Sequence, residues 1–115
     1  METDRELLCL AANAAGYEYA KFGGYIIVDG IPGNWNPLTD DGDALRLAVR
    51  MGMDVDCTSV GKPFDHTWAM AENDTGSGVV ERHNDDPYAA TRMAIVRAAA
   101  DIGREIKQKE ISDGN

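Results

Sequence analysis

Two cysteines and two histidines are all that the 115 residues supply. Cys9 and Cys57 lie far apart and outside any C-x-x-C, which excludes a zinc-ribbon or thioredoxin-type motif. No apolar run approaches the roughly 18 residues that a membrane span needs, and neither a basic leader with an apolar core nor a lipidation pattern is present. These absences point to a cytoplasmic protein with two free thiols and no membrane contact. Glycine-rich phosphate cradles are missing too. Gly23-Gly24, Gly30-x-x-Gly33 and Gly76-Ser77-Gly78 have neither the strand–GxGxxG–helix nor the GxxxxGK[ST] form. Basic residues are few: 11 Lys and Arg stand against 20 Asp and Glu, a net charge of -9. Such a field repels nucleic-acid backbones and attracts basic partners or cations, and it also maintains solubility.

What is present is a folding domain. Apolar residues make up 43% of the chain, too many for a disordered tail. A chain of this size buries roughly two thirds of its unfolded surface as one domain. We assign that domain to residues 1–109 and expect the polar residues 110–115 to fray.

The strongest periodic signal is C-terminal. Tyr88, Thr91, Ile95, Ala98, Ala99, Ile102 and Ile106 recur at three- and four-residue steps, the spacing of one helix face. Asp86 is a good N-cap, and Pro87 sits where its missing N–H costs nothing. Earlier, Thr3-Asp4-Arg5-Glu6 reads as a capping box for a helix through Leu7, Leu8, Ala11, Ala12 and Ala15, stopped at Gly16. Residues 17–20 read as a polar-aromatic stretch, 25–28 as a strand, and Asp29-Gly30 and Pro32-Gly33 as turns. Asp40 caps a second helix whose buried stripe is Leu45, Ala48 and Val49, with Leu47 as the alternative, ending at Gly52. Alternation then predicts strands at 54–60, 66–71 and 79–83, joined through Gly61-Lys62-Pro63 and the polar segment 72–78. The resulting fold class is α+β: a mainly antiparallel sheet of three to four strands with helices packed on it, an αβα sandwich, with a long C-terminal helix.

Two blocks carry a resemblance. Residues 35–49, WNPLTDDGDALRLAV, and 86–100, DPYAATRMAIVRAAA, together resemble the small phage and prophage proteins grouped as the phage αβα-sandwich domain. The resemblance implies a phage-derived cytoplasmic protein with helices on both faces of a sheet. It carries no catalytic residues that could be transferred to these positions.

Candidate chemistry is sparse. Asp40, Asp41 and Asp43 form the densest acidic cluster, but the EF-hand spacing fails because Pro37 stands five residues before Gly42, and a helix start explains the acids without a metal. Cys57, His66 and His83 are three zinc-type ligands without diagnostic spacing, although the two histidines are candidates to face one another. A Cys57–His66 nucleophile pair lacks any recognisable oxyanion geometry. The expectation is therefore no metal, no cofactor and no catalytic residue. Trp35, between two turn signals, is either a plug for the core edge beside Leu38 and Leu45 or a partner anchor. With Asp40, Asp41 and Asp43 it makes the expected partner-binding patch. The sequence favours a non-catalytic phage or prophage accessory protein acting on a basic or amphipathic protein partner, without direct nucleic-acid contact, and leaves self-association open. The alternatives are an acidic nucleic-acid mimic that inhibits a DNA-binding protein and a small metal-assisted hydrolase.

Overall fold

Residues 3–20, 25–28, 31–58, 65–71 and 78–113 are described by a computed structural model of the chain. The turns read at Gly23-Gly24, Asp29-Gly30 and Gly61-Lys62-Pro63, the strand end Ser59-Val60 and most of the 72–78 connection lie outside the described residues.

Local capping chemistry sets the helix starts. Helix α1 (Asp4–Ala15) begins where Thr3 Oγ1 accepts the Glu6 N–H at 3.2 Å, and it ends at Gly16, whose φ of 80° is left-handed. Three short strands follow: β1 (Glu18–Ala20), β2 (Tyr25–Val28) and β3 (Ile31–Asn34), antiparallel in the order β1-β2-β3. Helix α2 (Asp41–Arg50) starts where Asp40 Oδ2 accepts the Asp43 N–H at 2.8 Å. Strands β4 (Asp54–Thr58), β5 (His66–Met70) and β6 (Val79–Arg82) then form a second antiparallel sheet, β4-β5-β6. Helix α3 (Pro87–Asp113) closes the chain, its first turn capped by Asp86 Oδ1, which accepts the Tyr88 and Ala89 N–H groups at 3.1 and 3.0 Å.

The architecture is α+β, with two three-stranded antiparallel sheets and helices packed around them. The three runs expected to share a sheet do so, but the strand at 25–28 belongs to a sheet of its own. Its neighbours β1 and β3 were expected as an aromatic stretch and a turn. Pro32 is tolerated because β3 is an edge strand, paired only with β2 across Ile27–Pro32. Here strand pairing overrides the local turn chemistry of Pro32-Gly33.

Helix α3 is about 40 Å long at the usual rise, and α1, α2, β5 and β6 all pack against it. One face puts Ile95, Val96, Ala99 and Ala100 into the core shared with α1, α2, Ile26 and Trp35. The opposite side puts Ala94 and Ala98 against Ala69 of β5. The expected stripe is thus too narrow. From Ala94 to Ala100 only Arg97 is exposed, and it reaches Glu81 at 3.2 Å. Tyr88, expected on the buried stripe, is 70% exposed. The helix also runs through 110–113, where fraying was expected.

In α2 the buried positions are Ala44, Leu47 and Ala48, whereas Leu45 and Val49 face outward, reversing the expected stripe except at Ala48 and Leu47. Arg50 selects that rotation. Its Nε donates to the Ala15 carbonyl at 2.9 Å, and its guanidinium lies over the Tyr17 ring at 5.4 Å.

The tightest contact in the core is between α1 and α3. A Cβ placed on Gly103 would clash with the Leu10 carbonyl oxygen and stand 2.7 Å from its carbon. Gly103→Ala should therefore push the two helices apart and destabilise the fold by about 1–3 kcal/mol, the usual cost of overpacking. Denaturant titration should show the loss, and an unchanged midpoint would mean that the helices are not in backbone contact.

Candidate functional site

Helix α2, strand β4 and the first turns of α3 enclose an open groove of about 460 Å³. Ala44, Leu45 and Ala48 line it from α2, Val55 and Cys57 from β4, and Tyr88, Thr91 and Ile95 from α3. The walls are mostly apolar, and three of the large hydrophobic side chains left exposed lie in them: Leu45 at 63%, Val55 at 37% and Tyr88 at 70%. Large apolar side chains concentrated in one concavity mark a binding surface more often than scattered ones do.

An ion pair and a carbonyl contact tie the start of α2 to α3 at the edge of the groove. Arg92 Nη1 on α3 meets Asp41 Oδ1 on α2 at 2.6 Å, and Arg92 Nε donates to the Leu38 carbonyl at 2.8 Å. The segment before α2 is pinned in turn, because the Asn36 N–H donates to Asp43 Oδ2 at 2.9 Å and Asn36 Oδ1 accepts the Leu38 N–H at 3.0 Å. Asp43 also binds Arg46 at 2.7 Å. That hydrogen bond, together with the charges of Asp43 and Asp40, outweighs desolvation and raises the Arg46 guanidinium pKa further above its usual value.

The inner wall is polar. Cys57 and Thr67 are partners across β4 and β5, so both side chains point toward α3. Thr67 Oγ1 donates to Cys57 Sγ at 3.5 Å and lies 2.7 Å from Thr91 Oγ1 and 2.7 Å from His83 Nε2. Thr91 Oγ1 donates to the Pro87 carbonyl at 2.8 Å and stands 3.6 Å from Cys57 Sγ. His83 is buried, with Nδ1 3.2 Å from Asp65 Oδ2. The alignment is too poor for a hydrogen bond, and Nδ1 has no other partner. The two side chains are held side by side by the backbone, where the His83 N–H donates to the Asp65 carbonyl at 3.1 Å.

The residues expected to bind a partner are dispersed. Asp40 and Asp43 are occupied as cap and loop tie, and only Asp41 reaches the groove. Trp35 is 4% exposed, its ring edge-on to Tyr17 and Tyr19 with centroids 6.0 Å away in both cases. It fills the core role that the sequence offered as the alternative to an anchor. The histidines do not face one another. His66 pairs with Arg82 on one face of the sheet, and His83, one residue later, lies on the other. Cys57 and His66 are on opposite faces for the same reason, His66 meeting Thr58 instead at 3.1 Å. Among the described residues, no three His, Cys, Asp or Glu side chains converge as a metal site would require. Nor is any described helix long and apolar enough to cross a membrane.

The groove and the hydroxyl chain were not anticipated. The available signal was the placement of Cys57 and Thr67 in adjacent alternating strands, whose register decides whether they meet.

Comparison with protein-family models, curated proteins and solved structures finds no match.

Trp35→Ala tests its placement. Emptying a buried indole site should cost about 3–5 kcal/mol, read as a lower urea midpoint. A loss below about 0.5 kcal/mol, the scale of a surface substitution, would put the ring outside the core.

Proposed function

We propose that this chain is a non-catalytic accessory protein that holds a basic, amphipathic segment of a protein partner in the α2–β4–α3 groove. The observation that carries this reading is the clustering of exposed Leu45, Val55 and Tyr88 in one concavity of a chain with net charge -9. Apolar anchors in a groove supply contact energy, and the surrounding field selects the sign of the partner's rim. The neighbouring acids support that sign. Asp85 and Asp86, both exposed, precede Tyr88 by three and two residues, whereas Asp54 and Asp56 lie on the face of β4 opposite Val55 and Cys57. The nearby cations Arg46 and Arg92 are already paired with Asp43 and Asp41. An apolar groove in a chain of net charge -9 suits a helix carrying Leu-type and Lys-type faces, and it suits a second copy of this acidic chain less well. The likeness to a phage domain without catalytic residues agrees with an accessory role.

A nucleic-acid mimic would instead present carboxylates in a regular row. Asp40, Asp41, Asp43 and Asp86 are individually engaged in caps and ion pairs, which leaves that reading less well supported.

Calorimetric titration with a synthetic amphipathic Leu/Lys helix tests the proposal. Leu45→Gln and Tyr88→Ala should each weaken binding by about 1–3 kcal/mol, as hot-spot truncations do, with thermal melts little changed because both side chains are exposed. Val80→Thr is the control, since Val80 is 55% exposed on β6, away from the groove. Equal losses at all three positions, or full competition by duplex DNA for a basic partner, would overturn the groove as the docking site.

A further inference from the structure

Partner docking makes no use of the polar chain behind the groove wall. Thr67 and His83 are almost wholly buried, at 0% and 2% exposure, whereas Cys57 at the end of the chain is exposed. Carboxylate, imidazole and hydroxyl thus follow one another from the interior to a single accessible sulfur: Asp65 Oδ2 to His83 Nδ1 at 3.2 Å, His83 Nε2 to Thr67 Oγ1 at 2.7 Å, Thr67 Oγ1 to Cys57 Sγ at 3.5 Å. Burying a histidine beside a carboxylate without an aligned hydrogen bond costs stability. A merely structural wall would be better built from apolar residues, as the rest of this groove is. An accessible nucleophile, a hydroxyl in contact with it, a buried imidazole behind the hydroxyl and a carboxylate 3.2 Å from that imidazole make up the set of groups used to activate nucleophiles. Apolar space lies immediately beside the sulfur.

We propose that Cys57 is an acyl acceptor, taking the acyl group of a small thioester whose apolar chain lies along Leu45, Ala48, Val55 and Ile95. With the imidazole proton on Nδ1, the Thr67 hydroxyl turns its proton from Cys57 Sγ to His83 Nε2; as it passes that proton on it accepts the thiol's, and Asp65 balances the imidazolium that forms. The sulfur electron pair makes a bond to the acyl carbonyl carbon, and the bond from that carbon to the donor sulfur breaks. The departing thiolate recovers a proton from His83 by the same route. The products are S-acyl Cys57 and a free thiol, with no oxidant or reductant and no net change in protons. Thr91 Oγ1, at 3.6 Å from the sulfur, positions Cys57 from the α3 side.

The test uses the full chain with the acetyl and octanoyl thioesters of N-acetylcysteamine, read by intact mass and peptide mapping. Cys57 should acylate at least about tenfold faster than the half-buried Cys9. Octanoyl transfer should outpace acetyl transfer at Cys57 by about tenfold or more, since each methylene buried in the transition state contributes up to roughly fourfold. Thr67→Val should slow Cys57 by roughly 100-fold, the scale of lost proton transfer, and Thr67→Ser, which keeps the hydroxyl, should retain most of the rate. Circular dichroism separates this from unfolding. If Thr67→Val does not fold, the acetyl–octanoyl comparison on the unaltered protein still decides. Equal rates at Cys57 and Cys9, no chain-length preference, or an unaltered rate in folded Thr67→Val would overturn the proposal. None of these readouts depends on peptide binding, so the two functions fail separately.

Discussion

The backbone contact between α1 and α3 at Gly103 is the constraint on which the remaining packing depends. Without a side chain at that position the helices approach until the Leu10 carbonyl lies against the glycine. The small residues Ala11, Ala12, Ala15, Ala99 and Ala100, all buried, continue the close approach along both helices. A spacing this short brings many atoms into dispersion range, and few of them come from large side chains. It is how a chain with 7% aromatic residues assembles a dense interior.

With α1 so close on one side, α3 has room on the other for a sheet, and Ala94 and Ala98 bring β5 in at comparably short range. The remaining sector of the helix is covered by α2, which packs Ala44, Leu47 and Ala48 into the shared core and is tied to α3 at its start by Arg92. Alanine contacts close two sides of α3, while toward the start of α3 the side chains Tyr88, Leu45 and Val55 are left around an unfilled space. Polar and apolar residues divide the groove accordingly, with the hydroxyl chain where β5 turns toward α3 and the apolar walls along α2.

Signals that act over three or four residues were legible in the sequence. Thr3, Asp40 and Asp86 cap the helices they were expected to cap, because an N-cap depends only on its own turn. Alternation in 66–71 gave the right faces, with Thr67, Ala69 and Ala71 inward. What failed depended on partners distant in the chain. The rotation of α2 is chosen by Arg50 reaching Ala15, which no periodicity within α2 encodes, so Leu45 and Val49 were placed inside. Strands β1 and β3 exist because β2 pairs with both. Thr91 was read only as part of the helix face and Thr67 only as part of a strand face, because their meeting requires both the β4–β5 register and the rotation of α3. Cys57 was weighed as a metal ligand and as a nucleophile paired with His66, His83 only as a ligand, and the hydroxyl that joins Cys57 to His83 had no signal of its own.

Helix α2 is 10 residues long, and isolated helices of that length are marginal in water. It buries Ala44, Leu47 and Ala48 and leaves Leu45 and Val49 outside, so its persistence depends on anchors at its two ends: Asp43, tied to Asn36, and Asp41, tied to Arg92, at its start, and Arg50 at its last position. An element held in this way opens as a unit at a free energy below that of the whole molecule. The movable wall of the groove is therefore the least protected helix of the fold, and its amides should exchange with solvent well before those of α3 between Ala94 and Ala100. Any occupant that bridges α2 and α3 would slow that exchange across all of α2, so the breathing of one short helix becomes a direct gauge of whether the groove is filled.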